Sequence, residues 1–143
     1  MKTPLNERLA RLHGVVVNEV KSVEFEAPPT DSIYAIGTLI LLSDGTRLSC
    51  QFWRLIKSAK PVVSIFDHRQ KYGLPNQIDA ISALQEGLEH KSVLGAYMNE
   101  ETGDLRFTFS DEFVLEVFNF TGFEIWHLTF SDGTGELSNY AIK

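Results

Sequence analysis

Residues 105–118 read LRFTFSDEFVLEVF, and their pattern is the one that best predicts the fold class of this chain. Apolar residues alternate with polar ones on both sides of a short Ser-Asp-Glu break, first from Leu105 to Phe109 and again at Leu115 and Val117. Alternation with a period of two is typical of strands that bury one face, and a short polar break favours a turn. The stretch therefore predicts two antiparallel strands joined by a tight connection.

Similar strand patterns continue outward in both directions from this stretch. They cover residues 15–25, 33–42, 47–55, 62–66, 92–99, 123–130 and 137–142. Asp44-Gly45 separates two of them and favours a tight hairpin. We expect an α+β protein with a mostly antiparallel, meandering β-sheet.

Two helical patterns accompany the strands. The main one covers about residues 76–89, where apolar residues recur every three or four positions from Ile78 to Leu88. Such a stripe predicts a helix packed on one face of the sheet. A shorter helix is expected between Pro4 and Gly14, because proline suits the first helical position and glycine the end.

The length of 143 residues fits a single domain covering residues 1–143. One internal similarity stands out, because an apolar strand pattern ends in Ser-Asp at residues 43–44, 110–111 and 131–132. Two related hairpin units, about 33–66 and 92–142, would then flank the helix. Independent use of a common turn sequence explains the similarity equally well.

Charge is distributed unevenly along the chain, whose net charge is −6. Residues 99–136 contain nine acidic residues and only Arg106 as a basic one. An acidic surface repels nucleic acid and anionic lipid and attracts basic proteins. A local basic cluster interrupts this pattern at Arg54, Lys57, Lys60, Arg69 and Lys71. We expect a protein partner, basic in character, and neither nucleic acid nor a membrane.

The sequence also bears on location. No apolar run approaches the roughly 18 residues that a membrane span needs. The first eight residues lack the apolar core of a signal peptide. These features favour a cytoplasmic protein.

Five carboxylates on or beside the predicted strands are the candidate contacts for a basic partner. They are Asp104, Asp111, Glu112, Glu116 and Glu124. Carboxylates mounted on strands can accelerate association with a basic surface electrostatically.

Residues capable of catalysis are few. Asp67-His68 follows an apolar strand, but neighbours on a strand point to opposite faces, which favours a turn aspartate and an exposed histidine. In the strand that contains Trp126 and His127, alternation predicts a core tryptophan and a solvent-side histidine. Cys50 is the sole cysteine and is expected to be a small buried hydrophobic residue. No metal, phosphate-loop or nucleophile motif is present, so we expect neither a cofactor nor catalysis.

Trp53-Arg54 suggests a different kind of site. Alternation places Trp53 on the face opposite Cys50 and Phe52. If it is exposed, Trp53 and Arg54 together are typical of a binding hot spot. The alternative is that the main helix covers Trp53.

Several of these segments together resemble small uncharacterised bacterial proteins, some of which look like immunity proteins of polymorphic-toxin systems. The resemblance spans roughly residues 35–133. It is carried by Phe52-Trp53-Arg54, Asp67-His68, the helix from Ile78 to Leu88, 103–109, 115–118 and 124–128. It implies an α+β sheet without an established activity, and it matches Trp53, Arg54, Asp67, Asp104 and Trp126 without assigning them roles.

The sequence therefore predicts a non-catalytic protein-binding domain, in its specific form an immunity-type protein that uses an acidic sheet surface. Two alternatives remain open. Phe-rich strands could pair two copies of the chain into a homodimer. A crevice between helix and sheet could instead hold a small molecule, with Asp67, His68 or His127 as its polar groups.

Overall fold

The computed structural model describes residues 4–24, 36–120 and 125–138. The helices in these ranges are α1 (Leu5–Ala10) and α2 (Ala80–Leu88). The strands are β1 (Val17–Glu24), β2 (Ile36–Leu42), β3 (Arg47–Cys50), β4 (Trp53–Lys57), β5 (Lys60–Ser64), β6 (Val93–Met98), β7 (Leu105–Phe109), β8 (Phe113–Val117), β9 (Trp126–Thr129) and β10 (Gly135–Leu137).

The strands form two five-stranded antiparallel sheets rather than a single one. The first sheet has the order β1-β2-β3-β9-β10, and the second has the order β5-β4-β8-β7-β6. The α+β class, the antiparallel pairing, the main helix and the short N-terminal helix are confirmed. The hairpin predicted from residues 105–118 is β7 and β8.

The predicted strand 47–55 is divided between the two sheets. Cys50 lies opposite Trp126 in the first sheet, and Trp53 lies opposite Val117 in the second. The chain bends between these residues, so Cys50 and Trp53 are both buried. The Trp53 indole donates to the hydroxyl of Thr38, which lies opposite Cys50 in the first sheet. Trp53 therefore points toward the Cys50 side, and the prediction that it faces away is wrong, because alternation does not continue through the bend. Cys50 is buried as expected, and burial raises the pKa of its thiol to about 12.

The core lies between the two sheets. Ile40, Leu48 and Leu128 of the first sheet line the same apolar space as Phe107 and Leu115 of the second. These side chains alternate with outward-facing residues along each strand, which is how two packed sheets share a core.

Helix α2 begins later than the sequence pattern suggests. Asp79 is its N-cap, and the Asp79 carboxylate accepts a hydrogen bond from the Ser82 N–H at 3.0 Å. Residues before Asp79 belong to a loop, where the Ile78 N–H donates to the Gln70 carbonyl at 2.9 Å. Gly87 allows the helix to approach the second sheet, because a Cβ there would lie 2.9 Å from the Leu55 side chain.

The Ser-Asp-Gly-Thr turns at residues 43–46 and 131–134 adopt the same local structure. Asp44 and Asp132 each accept a hydrogen bond, at 2.9 Å, from the N–H of the threonine two residues later. The third Ser-Asp segment, Ser110–Glu112, forms a different turn with left-handed backbone at its last two residues. The division into two related hairpin units stays a prediction.

Candidate functional site

Four phenylalanine rings form a cluster at one end of the second sheet. The ring of Phe52 lies 4.9 Å from that of Phe120 and 5.7 Å from that of Phe66, measured between centroids. Phe66 and Phe120 are 6.2 Å apart, and Phe118 lies 5.5 Å from Phe120. Phe52 is buried, whereas Phe66 is 43% exposed and Phe120 is 55% exposed. The cluster therefore exposes the rings of Phe66 and Phe120 to solvent, and both pack against the buried ring of Phe52.

Backbone hydrogen bonds hold these rings in place. Phe66 lies in the single 3-10 turn Ile65–Asp67, which follows β5 directly. The Ser64 hydroxyl accepts from the Phe66 N–H at 3.2 Å, and the Asp67 carboxylate accepts from the Ser64 N–H at 2.8 Å. On the other side of the cluster, the Phe118 N–H donates to the Phe52 carbonyl at 2.8 Å.

An arginine–glutamate–arginine triad adjoins the rings on the outer face of the same sheet. Glu116 on β8 lies opposite Arg54 on β4 and Arg106 on β7. Arg54 Nε donates to one carboxylate oxygen of Glu116 at 3.0 Å, and Arg106 Nη1 donates to the other at 2.9 Å. Ionised partners make these hydrogen bonds stronger than neutral ones.

The triad and the phenylalanine cluster form one continuous surface. The Arg54 guanidinium lies over the Phe118 ring, 5.5 Å from its centroid, in a cation–π arrangement. We call this the aromatic–arginine surface. It consists of Arg54, Phe66, Arg106, Glu116, Phe118 and Phe120. A shallow cleft of about 120 Å³ borders it beside Tyr97 and Asp104.

The described carboxylates among those predicted to bind a partner lie at two ends of the second sheet, with Asp104 and Glu116 lining one cleft. Asp104 precedes β7 and accepts from the Asn119 N–H at 2.7 Å. Asp111 and Glu112 lie at the opposite end of that strand, where Glu112 accepts from the Ser58 hydroxyl at 2.9 Å. Glu116 is in the triad, and Glu124 lies outside the described residues.

Lysine neutralises the charge of Asp111. The Lys91 ammonium lies 2.7 Å from the Asp111 carboxylate. This hydrogen bond holds the pKa of the carboxyl below its usual value. The predicted carboxylates therefore do not meet in one acidic patch within the described part of the chain.

Asp67 and His68 stabilise local structure and do not pair with each other. Asp67 caps its 3-10 turn and accepts from the Tyr72 hydroxyl at 3.0 Å, which raises the pKa of Tyr72. His68 Nδ1 accepts from the Ala80 N–H at 3.0 Å, at the start of α2. The His68 side chain is only 12% exposed, so the prediction of an exposed histidine is wrong. Its partial burial lowers the pKa of His68, which favours the neutral ring that this hydrogen bond requires.

The two tryptophans belong to the core. The Trp53 indole donates to the Thr38 hydroxyl at 2.9 Å, and the Trp126 indole donates to the Gly103 carbonyl at 2.8 Å. Both are 1% exposed, so an exposed Trp53 hot spot is excluded. His127 is exposed on the outer face of the first sheet, as alternation predicts.

Arg54 was predicted from the sequence as a candidate site residue, but the phenylalanines beside it were not. A period of two along β8 puts Phe118 and Phe120 on the same face as Glu116, so that signal was present. Phe66 offered no comparable signal, because the strand ends and the 3-10 turn begins just before it.

Comparison with protein-family models, with curated proteins and with solved structures finds no match to this chain. Among the described residues, no group of three or more His, Cys, Asp or Glu side chains is placed to hold a metal ion. No helix in the same ranges is long and apolar enough to cross a membrane.

Proposed function

We propose that this chain is a non-catalytic protein-binding domain and that the aromatic–arginine surface is its contact surface. The observation behind the proposal is the exposure of Phe66 and Phe120 beside the paired arginines. Burying exposed aromatic surface against a partner would contribute roughly 25 cal/mol of favourable free energy for each Å² removed from water. Aromatic and arginine side chains are the types enriched at the energetic centres of protein interfaces.

The fixed geometry of the surface supports the same proposal. Binding costs free energy when flexible side chains must be ordered. Here Arg54 and Arg106 are already oriented by Glu116. Phe66 and Phe120 are already packed against Phe52. A partner would therefore meet a surface that needs little reorganisation.

Of the five carboxylates that composition favours, the proposed contact surface includes Glu116 alone. Glu116 and Asp111 have arginine or lysine partners in their own chain, which reduces their attraction for a basic protein. An immunity-type role is the specific form of the proposal that the resemblance implies. A toxin encoded beside this chain is the partner that would test it.

Self-association through the same surface is the second candidate. Phe66 and Phe120 are exposed together, and a two-fold axis beside them would bury both pairs of rings. Light scattering at tens of micromolar distinguishes the two candidates, because a monomer at that concentration contradicts a stable homodimer.

The test of the proposed function is affinity capture from lysate of the source organism, with mass spectrometry of the retained proteins. We expect wild-type protein to retain a partner that Phe120→Ala and Arg54→Ala lose. Leu94→Ala is the matched control, because Leu94 is 50% exposed on the opposite edge strand of the same sheet.

Thermal unfolding of each variant checks that the substitutions leave the fold intact. Retention of the same proteins by wild type, Phe120→Ala and Arg54→Ala would show that binding occurs elsewhere. Loss with Leu94→Ala as well would point to a nonspecific effect of removing exposed apolar surface.

A further inference from the structure

Beside the aromatic–arginine surface lies a segment whose charge is opposite to that of the whole chain. Residues 60–74 contain Lys60, Arg69 and Lys71 and a single acidic residue, Asp67, in a protein with a net charge of −6. All three basic residues are exposed. The segment therefore carries a net positive charge on an acidic molecule, with Asp79 and Glu112 as the carboxylates beside its two ends.

The same segment is rich in exposed apolar side chains. Among the described residues, seven large hydrophobic side chains are exposed, and four of them belong to residues 60–74. They are Val62, Phe66, Tyr72 and Leu74. Phe120, a fifth, stacks on Phe66 at 6.2 Å. Lys60 and Val62 lie toward the start of β5, and Phe66, Arg69 and Lys71 follow its end. Positive charge and exposed apolar area thus occur along the same edge of the second sheet, since β5 is its edge strand.

Internal hydrogen bonds use the only carboxylate of the segment. Asp67 accepts from the Tyr72 hydroxyl through one oxygen and from the Ser64 N–H through the other. The Arg69 N–H donates to the Ile78 carbonyl at 2.8 Å, and the Leu74 N–H donates to the Lys71 carbonyl at 2.7 Å. The loop is therefore ordered by its own contacts, and no described residue forms an ion pair with Lys60, Arg69 or Lys71.

We propose that the partner of this domain presents an acidic segment bearing aromatic or aliphatic side chains, which binds across residues 60–74 and the exposed phenylalanines. This inference rests on the proposed function and specifies the partner's chemistry. Carboxylates opposite the three basic residues give charge complementarity, and apolar side chains cover Phe66 and Phe120.

A short acidic peptide segment fits this site better than a long polyanion does. At physiological salt, charges interact strongly only within about 8 Å, so a short segment experiences mainly the local positive region. An extended nucleic acid or an anionic membrane would also approach the acidic remainder of the molecule and be repelled by it. The charge distribution therefore favours an acidic segment of a protein.

The test uses random peptides displayed on phage and selected against the wild-type protein. We expect the enriched peptides to combine Asp or Glu with aromatic or aliphatic residues. Their affinity should fall about tenfold or more for the double variant Lys60→Glu, Lys71→Glu, because like charges then face each other. Lys21→Glu with Arg47→Glu, exposed on the first sheet, makes the same change of net charge and should bind like wild type.

The outcomes separate this inference from the proposed function. Enriched peptides that are basic or uncharged, yet lose binding to Phe120→Ala, would overturn the acidic partner and leave a protein-binding surface. Failure to enrich any peptide that depends on Phe66 or Phe120 would overturn the proposed function itself. Single-stranded DNA or phosphatidylserine vesicles could instead bind more tightly than any peptide. If the Lys60→Glu, Lys71→Glu variant abolished that binding, the inferred partner would be a polyanion or a lipid surface and not an acidic protein segment.

Discussion

Within the described residues, arginine and glutamate pair in two places, and the two environments differ sharply. Arg8 and Glu136 form an ion pair in which each residue is only 6% exposed. In the triad, the side chains of Arg54 and Arg106 are 41% and 39% exposed. The same two residue types therefore have different roles: the buried pair joins two parts of the fold, while the triad remains accessible at the surface.

The buried pair connects α1 to the β9–β10 hairpin. Arg8 Nη1 donates to the Thr134 hydroxyl at 3.0 Å, and its guanidinium lies 4.7 Å from the centroid of the Phe130 ring. Within the described residues, Arg8 Nε has no hydrogen-bond partner. The interaction with Glu136 therefore offsets most of the free-energy cost of burying the Arg8 charge.

Glu136→Ala is expected to have the largest effect of the predictions made from this comparison. Removing the carboxylate leaves the buried Arg8 charge without its ion-pair partner, which costs about 3–5 kcal/mol of unfolding free energy. Urea denaturation followed by tryptophan fluorescence measures the loss.

The double variant Arg8→Met, Glu136→Leu provides the control for that experiment. Replacing both charges with apolar side chains of similar size removes the uncompensated ion, so the double variant should be more stable than Glu136→Ala. A double variant no more stable than the single one would show that the ionic interaction is not the source of the loss.

Glu116→Ala is the matching substitution in the triad and should cost at most about 1 kcal/mol. Water already solvates Arg54 and Arg106, although the variant leaves their two positive charges side by side. Added salt should therefore reduce the deficit, because it screens that repulsion. A loss as large as that of Glu136→Ala, insensitive to salt, would mean that the triad is a structural element like the buried pair.

The smallest expected effect concerns acid stability near the buried pair. A hydrogen bond from the Thr134 hydroxyl holds the pKa of Asp132 below its ordinary value of 3.8, and the nearby Arg8 charge contributes. Because the folded-state pKa is the lower one, this stabilisation is present above pH 3.8 and disappears as the pH falls through the folded-state value. Asp132→Asn should therefore reduce the loss of stability below that pH, as measured by thermal unfolding across a pH series. Identical pH profiles for the two proteins would show that Asp132 contributes no such stabilisation.

Much of the secondary structure was predictable because its causes are local. The period-two pattern of residues 105–118 identified β7, β8 and the turn between them, and the helical stripe ending at Leu88 identified α2. The beginning of α2 was placed too early, because Ile78 forms a hydrogen bond with Gln70 in the preceding loop. The division of residues 47–55 between two sheets was also missed, since no proline or glycine marks the bend between Cys50 and Trp53.

The candidate site was only partly predictable. Arg54 and Glu116 were both singled out, but Arg54 was considered with Trp53 and Glu116 with the other carboxylates. Their pairing joins strands that lie 62 residues apart in the chain. A sequence pattern shows which face of a strand a residue occupies, but it does not show which strand lies beside it.

The sequence by itself determined that this protein is an acidic α+β domain with antiparallel hairpins, a buried cysteine and one main helix, because alternation, turn residues and helical stripes act over short distances. Only the tertiary structure placed Asp104 and Asp111 at opposite ends of β7 and Glu116 between two arginines. It also decided that Phe66 and Phe120 meet beside a positive segment. The physical reason is that strand order follows from packing the apolar faces of both sheets together, and that order selects the neighbours of every outward-facing side chain.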